Sequence, residues 1–423
     1  MKSFRISLIA FVAALGLAAC QKVDSTMEQP VLETPTSPEE IEVVEYTAQE
    51  FASLFEGVEV PPETRCAALS YEIAKIKYTS VSGNGEPVTL SMKVSYPKGI
   101  LTKYHDPEYI LLDNHPTILS EAESPWSCNP IALSKALDDA LVVSPDYEGY
   151  GISSDRDHPY LAHDLNARQS VDAALAAVDY INAKKGIKME KGYHLENYGY
   201  SQGGGIALAV HKYIENNLSI ADQKKLNLEK TYCGGGPYDP KATMEVYFNQ
   251  DELEYPSLLP MVLIGYMCAY PDVFKGVALE DFFSEKFLAS GTIEMIRSKQ
   301  YKNNEVNAHI RKTVGSSKCS DIFKPEVFDP QSTYRLMLEE CFVRSNLTTG
   351  WAPVKKVTMM HSAKDQIVPA VNAINAYEGI KSGNISEVKW APLSPEHIPT
   401  GVLFYLDFMG LKIIPGALGH FLD

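Results

Sequence analysis

Ala74, Ile76 and Tyr78 alternate with polar or charged neighbours, and Val88, Leu90, Met92 and Val94 do the same beyond Gly83-Asn84-Gly85. A period of two on both sides of a glycine turn predicts an antiparallel hairpin, which belongs at the edge of a sheet. Tyr109-Ile110-Leu111-Leu112 and Ala140-Leu141-Val142-Val143-Ser144 are instead unbroken apolar runs. Strands of that kind are covered on both faces, as in the parallel centre of a sheet. Between and after them, Leu165, Val171, Leu175, Val178 and Ile181 recur at helical spacing and predict a helix with a core-facing stripe. A short strand into Tyr200, an Ala- and Leu-rich helix after it, and a strand at Thr231-Tyr232-Cys233 continue the pattern. It resumes with strands at Val354 to Met360 and Ser386 to Trp390, a helix between them and a last amphipathic helix. Alternating strands and helices predict an α/β fold with a mostly parallel, doubly wound sheet, whose ligands lie at the carboxyl ends of its strands.

The alternation breaks over residues 237–345, where aromatic and Met side chains are dense: Tyr247, Phe248, Tyr255, Met261, Tyr266, Phe282, Phe283 and Phe287 among them. An insertion at this point predicts a helical cap over the carboxyl ends of the strands, with an apolar underside closing a water-poor pocket. Most of these rings are expected to form the cap's own core and a minority to line the pocket.

Gly199-Tyr200-Ser201-Gln202-Gly203 sits where a strand turns sharply into a helix. Such a turn strains the serine backbone and sets its hydroxyl clear of the sheet, and only glycine two residues to either side lets strand and helix pass so closely. A serine hydroxyl is a poor nucleophile. It needs an imidazole to take its proton and a carboxylate to fix that imidazole's tautomer. With the order serine, acid, histidine along the chain, Asp365 stands just past its strand in the acid's place, although it would equally suit the cap of the next helix. His397 and His420 are the two histidines beyond it. His397 follows a strand in a loop before the final helix and is the better base, since His420 lies in the tail. Asp321 and Asp329 fall inside the expected cap, where a solvated role suits them. The Gln202 N–H and one more from the loop Asp113-Asn114-His115-Pro116-Thr117 are the oxyanion donors; Pro116 has no N–H, which leaves His115 and Thr117 open.

The formal charge is -16, from 54 acidic and 38 basic residues, with no basic cluster beyond the leader, so nucleic acid is a poor partner. Lys2 and Arg5 precede an apolar run too short to span a bilayer, and residues 1–19 read as a cleaved export signal. Leu17-Ala18-Ala19-Cys20 resembles the lipobox of bacterial lipoproteins, in which the cysteine carries the lipid. That resemblance implies a membrane anchor at Cys20 in the cell envelope, with the outer membrane favoured by Gln21. Residues 20–47, rich in Pro, Glu, Ser and Thr, read as a solvated tether, and 48–423 as one large domain. Cys66, Cys128, Cys233, Cys268, Cys319 and Cys341 permit disulfides in an exported chain or remain buried thiols. None forms a CxxC pair, and the Asp155 to Asp164 loop fits neither an EF-hand nor a zinc pattern, so it reads as solvated and hydrogen-bonded, with no metal.

Pro145-Asp146-Tyr147-Glu148-Gly149, the elbow, the His361-x-x-x-Asp365 stretch and His397 together resemble the secretory lipase family of α/β-hydrolases, which includes the lipase A type, and related bacterial lipoprotein hydrolases. The resemblance runs from about Tyr71 to Phe408, strongest in the elbow and weakest in the cap. It implies an α/β-hydrolase fold and a serine esterase or lipase with a helical lid and no cofactor, acting on a small-molecule or lipid ester. Fungal members usually have glycine where Gln202 stands. Two other readings share the scaffold. A prolyl-oligopeptidase-like peptidase would need a propeller, for which the N-terminal region is too short. A non-catalytic surface lipoprotein binding glycans or lipids would lack a triad residue, and all three are present.

Overall fold

The computed structural model describes residues 37–102, 105–186, 194–380, 385–391 and 396–409. The leader, Cys20 and His420 lie outside the described residues. Among the described residues nine strands form one sheet in the order β1-β2-β3-β5-β4-β6-β7-β8-β9. They are β1 (Glu39–Thr47), β2 (Ser70–Val81), β3 (Pro87–Pro97), β4 (Tyr109–Asn114), β5 (Ala140–Pro145), β6 (Leu195–Tyr200), β7 (Leu228–Gly234), β8 (Lys356–His361) and β9 (Ile385–Trp390). The pairs β1–β2, β2–β3 and β3–β5 are antiparallel, and the rest are parallel. Helix α1 (Ala48–Ser53) precedes the hairpin; α2 (His163–Lys185), α3 (Gln202–Asn216) and α4 (Ile220–Leu226) follow β5 and β6.

The unbroken apolar runs divide their side chains between two cores because successive strand residues face opposite ways. Ile110, Leu112, Leu141 and Val143 pack with Val171, Val178, Ile206 and Val210 of α2 and α3. Leu111, Ala140 and Val142 face the opposite core with Phe51, Tyr198, Leu403 and Phe404. This two-sided burial is what makes the parallel centre.

A third core belongs to the insertion between β7 and β8. Its helices are α5 (Pro240–Phe248), α6 (Leu258–Ala269), α7 (Glu285–Leu288), α8 (Thr292–Ser298), α9 (Asn303–Val314), α10 (Cys319–Ile322) and α11 (Thr333–Arg344). Phe282, Phe283, Phe287 and Tyr266 are fully buried there. Two more helices close the described chain, α12 (Val371–Ile380) and α13 (His397–Met409).

Two expectations, the reach of the tether and the place of the hairpin at the edge of the sheet, need correction. The tether does not run to Thr47: residues 39–47 are β1, paired with β2 from Glu39↔Lys77 to Thr47↔Ser70. Its acidic residues meet lysines on the next strand, Glu42 at 3.0 Å from Lys75 and Glu39 at 3.2 Å from Lys77. A composition that reads locally as solvated is thus ordered by partners distant in sequence, and the hairpin sits one strand in from the edge. The six described cysteines are all free thiols, three of them buried.

Candidate active site

Strand β6 ends at Tyr200 and α3 begins at Gln202, so Ser201 carries the whole change of direction. Its φ of 59° and ψ of −124° lie in a region that side chains other than glycine seldom occupy. The neighbouring chain holds it there. The Ser201 N–H donates to Gly234 O at 2.8 Å, and Ser201 O accepts from Gly205 N at 3.1 Å. A Cβ on Gly199 would stand 2.2 Å from Gly203 O, and one on Gly203 would stand 1.9 Å from Asn114 O. Both glycines are therefore required by close approach of backbone to backbone.

His397 lies over this turn, with Nε2 2.9 Å from Ser201 Oγ and Nδ1 2.6 Å from Asp365 Oδ2. The Tyr200 hydroxyl donates to His397 O at 2.7 Å and ties the start of α13 to the elbow. His397 is the first residue of that helix rather than part of the loop before it. On the acid, Oδ1 accepts the N–H groups of Ile367 (3.0 Å) and Val368 (2.7 Å), which leaves Oδ2 for the imidazole. The turn-capping role and the histidine-orienting position thus use different oxygens of one carboxylate. An ionised carboxylate is acceptor-only, so it fixes the proton on Nδ1 and leaves Nε2 to accept from the serine hydroxyl. Both side chains are buried, His397 at 3% and Asp365 at 0% exposure. His361, at the end of β8, lies behind them with Nε2 3.8 Å from Asp365 Oδ2 and 2.9 Å from Val368 O. Burial depresses its basicity and keeps it neutral beside the acid.

Gln202 opens α3, where the first N–H groups of a helix have no intrahelical acceptor and the helix dipole favours negative charge. Its side chain is engaged elsewhere: Nε2 donates to His158 Nε2 at 2.6 Å. His158 can accept because its Nδ1–H donates to Glu148 O at 2.7 Å and because burial pushes its pKa down to about 3. The Asp155 to Asp164 loop is hence not solvated throughout. The His158 ring lies among Tyr147, Tyr150 and Tyr160. Asp157 pairs with Arg297 of α8 at 2.8 Å, and among the described residues no group of three His, Cys, Asp or Glu could hold a metal ion.

The two remaining oxyanion candidates separate in space. Thr117 lies on the wall of the cavity beside Ser201, with Oγ1 2.9 Å from the Tyr160 hydroxyl. The His115 ring stacks on Tyr147 at 4.0 Å, with Nδ1 2.7 Å from Pro116 O, and does not reach the cavity.

Beneath this loop lies a buried network that sequence reasoning missed. The Lys299 ammonium, at the end of α8, donates to the carbonyls of Gly149, Ser154 and Arg156. Glu148 receives Arg156 at 2.6 Å and Gln169 at 2.7 Å. Asp146 accepts from Ser91 at 2.5 Å and from the Trp126 N–H at 2.6 Å. The Pro145 to Gly149 stretch was visible as a motif, but nothing local marks Lys299 as its partner.

Above Ser201 lies a cavity of about 300 Å³, to whose largely apolar wall the insertion contributes Met244, Leu258, Leu259, Val262 and Phe342. Of the insertion's rings, Tyr247, Tyr255 and Phe342 reach it, while Phe282, Phe283 and Phe287 stay in the insertion's own core. A largely apolar cavity beside a serine hydroxyl within hydrogen-bond reach of an imidazole is chemically suited to transfer of an acyl group.

No family model matches the chain, and no curated protein matches it. Solved structures do. The rice cell wall degrading esterase LipA from Xanthomonas oryzae superposes with a TM-score of 0.63 at 21% identity, over 84% of this chain and 90% of that one. A candidate hydrolase from Legionella pneumophila gives 0.68 at 17% identity, over 88% and 97%. Candida antarctica lipase A gives 0.58 at 16% identity, over 89% and 83%. What is shared at these identities is architecture: the chain has the α/β-hydrolase fold.

Proposed function

We propose that the protein is a serine hydrolase of carboxylic esters, an esterase or lipase working through an acyl-enzyme. The observation that carries this reading is the continuous relay from Ser201 Oγ through His397 to Asp365, at 2.9 and 2.6 Å, on a strained turn facing an apolar cavity. The esterase and lipase among the similar structures support it.

In this reading His397 Nε2 takes the Ser201 proton as Oγ attacks the ester carbonyl carbon, and Asp365 stabilises the imidazolium so formed. The negative oxygen of the tetrahedral intermediate is met by the Gln202 N–H and, from the cavity wall, the Thr117 N–H. Collapse expels the alkoxide, which takes its proton from His397 Nε2 and leaves the acyl group on Oγ. Water then attacks, losing its proton to the same nitrogen, and the acid departs as Ser201 recovers its hydrogen. Ester and water are the reactants, and His397 Nε2 carries one proton in each half: from Ser201 to the alcohol, then from water to Ser201. Lipid attachment at Cys20 would hold the enzyme at the cell envelope, which incorporation of labelled palmitate by wild type and its loss in Cys20→Ala would test.

Purified protein should hydrolyse 4-nitrophenyl butyrate and octanoate. Absence of turnover on both removes the reading, and cleavage of aminoacyl-proline anilides with negligible ester hydrolysis would replace it with a peptidase.

A further inference from the structure

Asn303, the first residue of α9, lies on the wall of the cavity above Ser201. Which end of its amide faces that cavity follows from its neighbours. The Ser257 N–H donates to Asn307 Oδ1 at 2.9 Å. A backbone N–H can only donate, so Asn307 must present its oxygen there and turn its nitrogen the other way. That nitrogen donates to Asn303 Oδ1 at 3.0 Å, and the Ser257 hydroxyl donates to the same oxygen at 2.6 Å. Ser257 is 0% and Asn307 3% exposed, so the pair is a fixed scaffold inside the insertion. Asn303 Oδ1 thus takes two inward hydrogen bonds, and its Nδ2 amide faces away from this pair with two donors.

Two other polar groups that the insertion brings to the wall, Thr243 and Tyr247, are differently placed. Thr243 Oγ1 donates to Asp239 O at 3.0 Å and accepts from Asn372 at 2.8 Å. The Tyr247 hydroxyl donates to Ile367 O. Both point their hydrogens into the protein. Tyr255 adds a phenol to the same wall, but its hydroxyl turns freely about one bond, whereas the Asn303 amide is held by Ser257 and Asn307. A pre-oriented amide donor discriminates between ligands, because an apolar chain laid against it leaves the donor unsatisfied.

Resting on the ester-hydrolase reading above, we propose that Asn303 is a specificity-determining residue whose Nδ2 donates to an oxygen of the substrate remote from the scissile carbonyl. The substrate class is then an ester bearing a hydroxyl, ether or carbonyl oxygen in the half that occupies the cavity, rather than a plain aliphatic ester.

Two isosteric pairs test this. In the acyl pair, 4-nitrophenyl 3-ethoxypropanoate is compared with 4-nitrophenyl hexanoate; in the alcohol pair, 2-propoxyethyl butyrate is compared with hexyl butyrate. Each kcat/KM is divided by the hydroxide-catalysed rate constant of the same ester, to remove intrinsic reactivity. Asn303→Asp keeps the oxygen that Ser257 and Asn307 use and replaces the outward donor with an acceptor. At the first turn of a helix a carboxylate is also favourable. In one of the two pairs, the ratio of oxygenated to plain ester should fall about tenfold in Asn303→Asp relative to wild type. The pair in which it falls identifies the half of the substrate that lies in the cavity. Asn303→Leu, which removes the donor without adding charge, should show the same fall. Ratios within twofold of wild type in both pairs and in either variant would overturn the proposal while leaving ester hydrolysis intact. A wild type that turns over none of the four esters would overturn both.

Discussion

A side-chain carbon on Gly203 would stand 1.9 Å from the carbonyl oxygen of Asn114, so α3, behind Ser201, and the end of β4 meet backbone to backbone. Gly203→Ala therefore sets two effects against each other. Inside a helix alanine is better than glycine by about 1 kcal/mol. Overpacking against an atom that cannot rotate away costs roughly 1–3 kcal/mol or more. The second should win, giving a lower melting temperature and at least a hundredfold loss of ester hydrolysis. A thermal melt at or above that of wild type would show that the two segments part at little cost.

Asp365→Asn should keep the fold and lose the reaction. The amide oxygen can still accept from the Ile367 and Val368 N–H groups, which holds the turn. Its nitrogen then faces His397 Nδ1 as a donor, which moves the imidazole proton to Nε2 and leaves nothing to accept from Ser201. A fall in kcat of about 10⁴-fold is expected, with a melting temperature close to wild type. Retention of a tenth or more of wild-type kcat would deny the carboxylate this role.

Stability should carry a signature of Asp146. Burial pushes its carboxyl up to about 7, outweighing the hydrogen bonds from Ser91 and Trp126. The unfolded chain loses this proton near pH 4, whereas the folded chain keeps it to about pH 7. The folded form is favoured fully below pH 4, and that contribution is lost as pH rises towards 7. Asp146→Asn imitates the protonated acid and should gain on wild type in melting temperature from pH 4 to 7, the difference then levelling off. His115, His158 and His163, whose pKa values burial lowers to about 4, 3 and 4, act in the opposite sense, but equally in both proteins. A difference independent of pH over this range would place a carboxylate, not an acid, beneath the loop.

His158→Leu should strand the Gln202 amide, which is 1% exposed and donates to His158. An unsatisfied buried donor costs about 1–3 kcal/mol, so the melting temperature should fall. Gln202 also supplies the oxyanion N–H in this account, and kcat should drop more than KM rises. Equal effects on kcat and KM for 4-nitrophenyl butyrate would reduce His158 to packing alone.

Much of this was legible in the chain because it is local. The runs at Tyr109 and Ala140, the stripe from Leu165 to Ile181 and the glycines around Ser201 each state their geometry within a few residues. Where the reading failed, the deciding partner was remote. Ile41 and Val43 sit among glutamates that read as solvated, and it is pairing with β2, with Lys75, Lys77, Lys98 and Lys184 meeting the glutamates, that makes them a strand. His158 looked like a surface loop residue because Tyr147 and Gln202, which enclose it together with Tyr160 of its own loop, come from other segments. Lys299 gave no signal, since a lysine aimed inward is recognised only by the carbonyls it meets. His115 and Thr117 are two residues apart, and no property of their types says which of them faces the cavity.

The central claim is that the Ser201 hydroxyl is a nucleophile activated by His397. The most direct measurement is labelling of the purified protein by a fluorophosphonate, located by mass spectrometry, in wild type, Ser201→Ala and His397→Ala. The expected result is one phosphonyl group on Ser201 in wild type, none in Ser201→Ala, and a labelling rate reduced by at least a hundredfold in His397→Ala. An unlabelled wild-type Ser201, or labelling equally fast without the imidazole, would contradict the account.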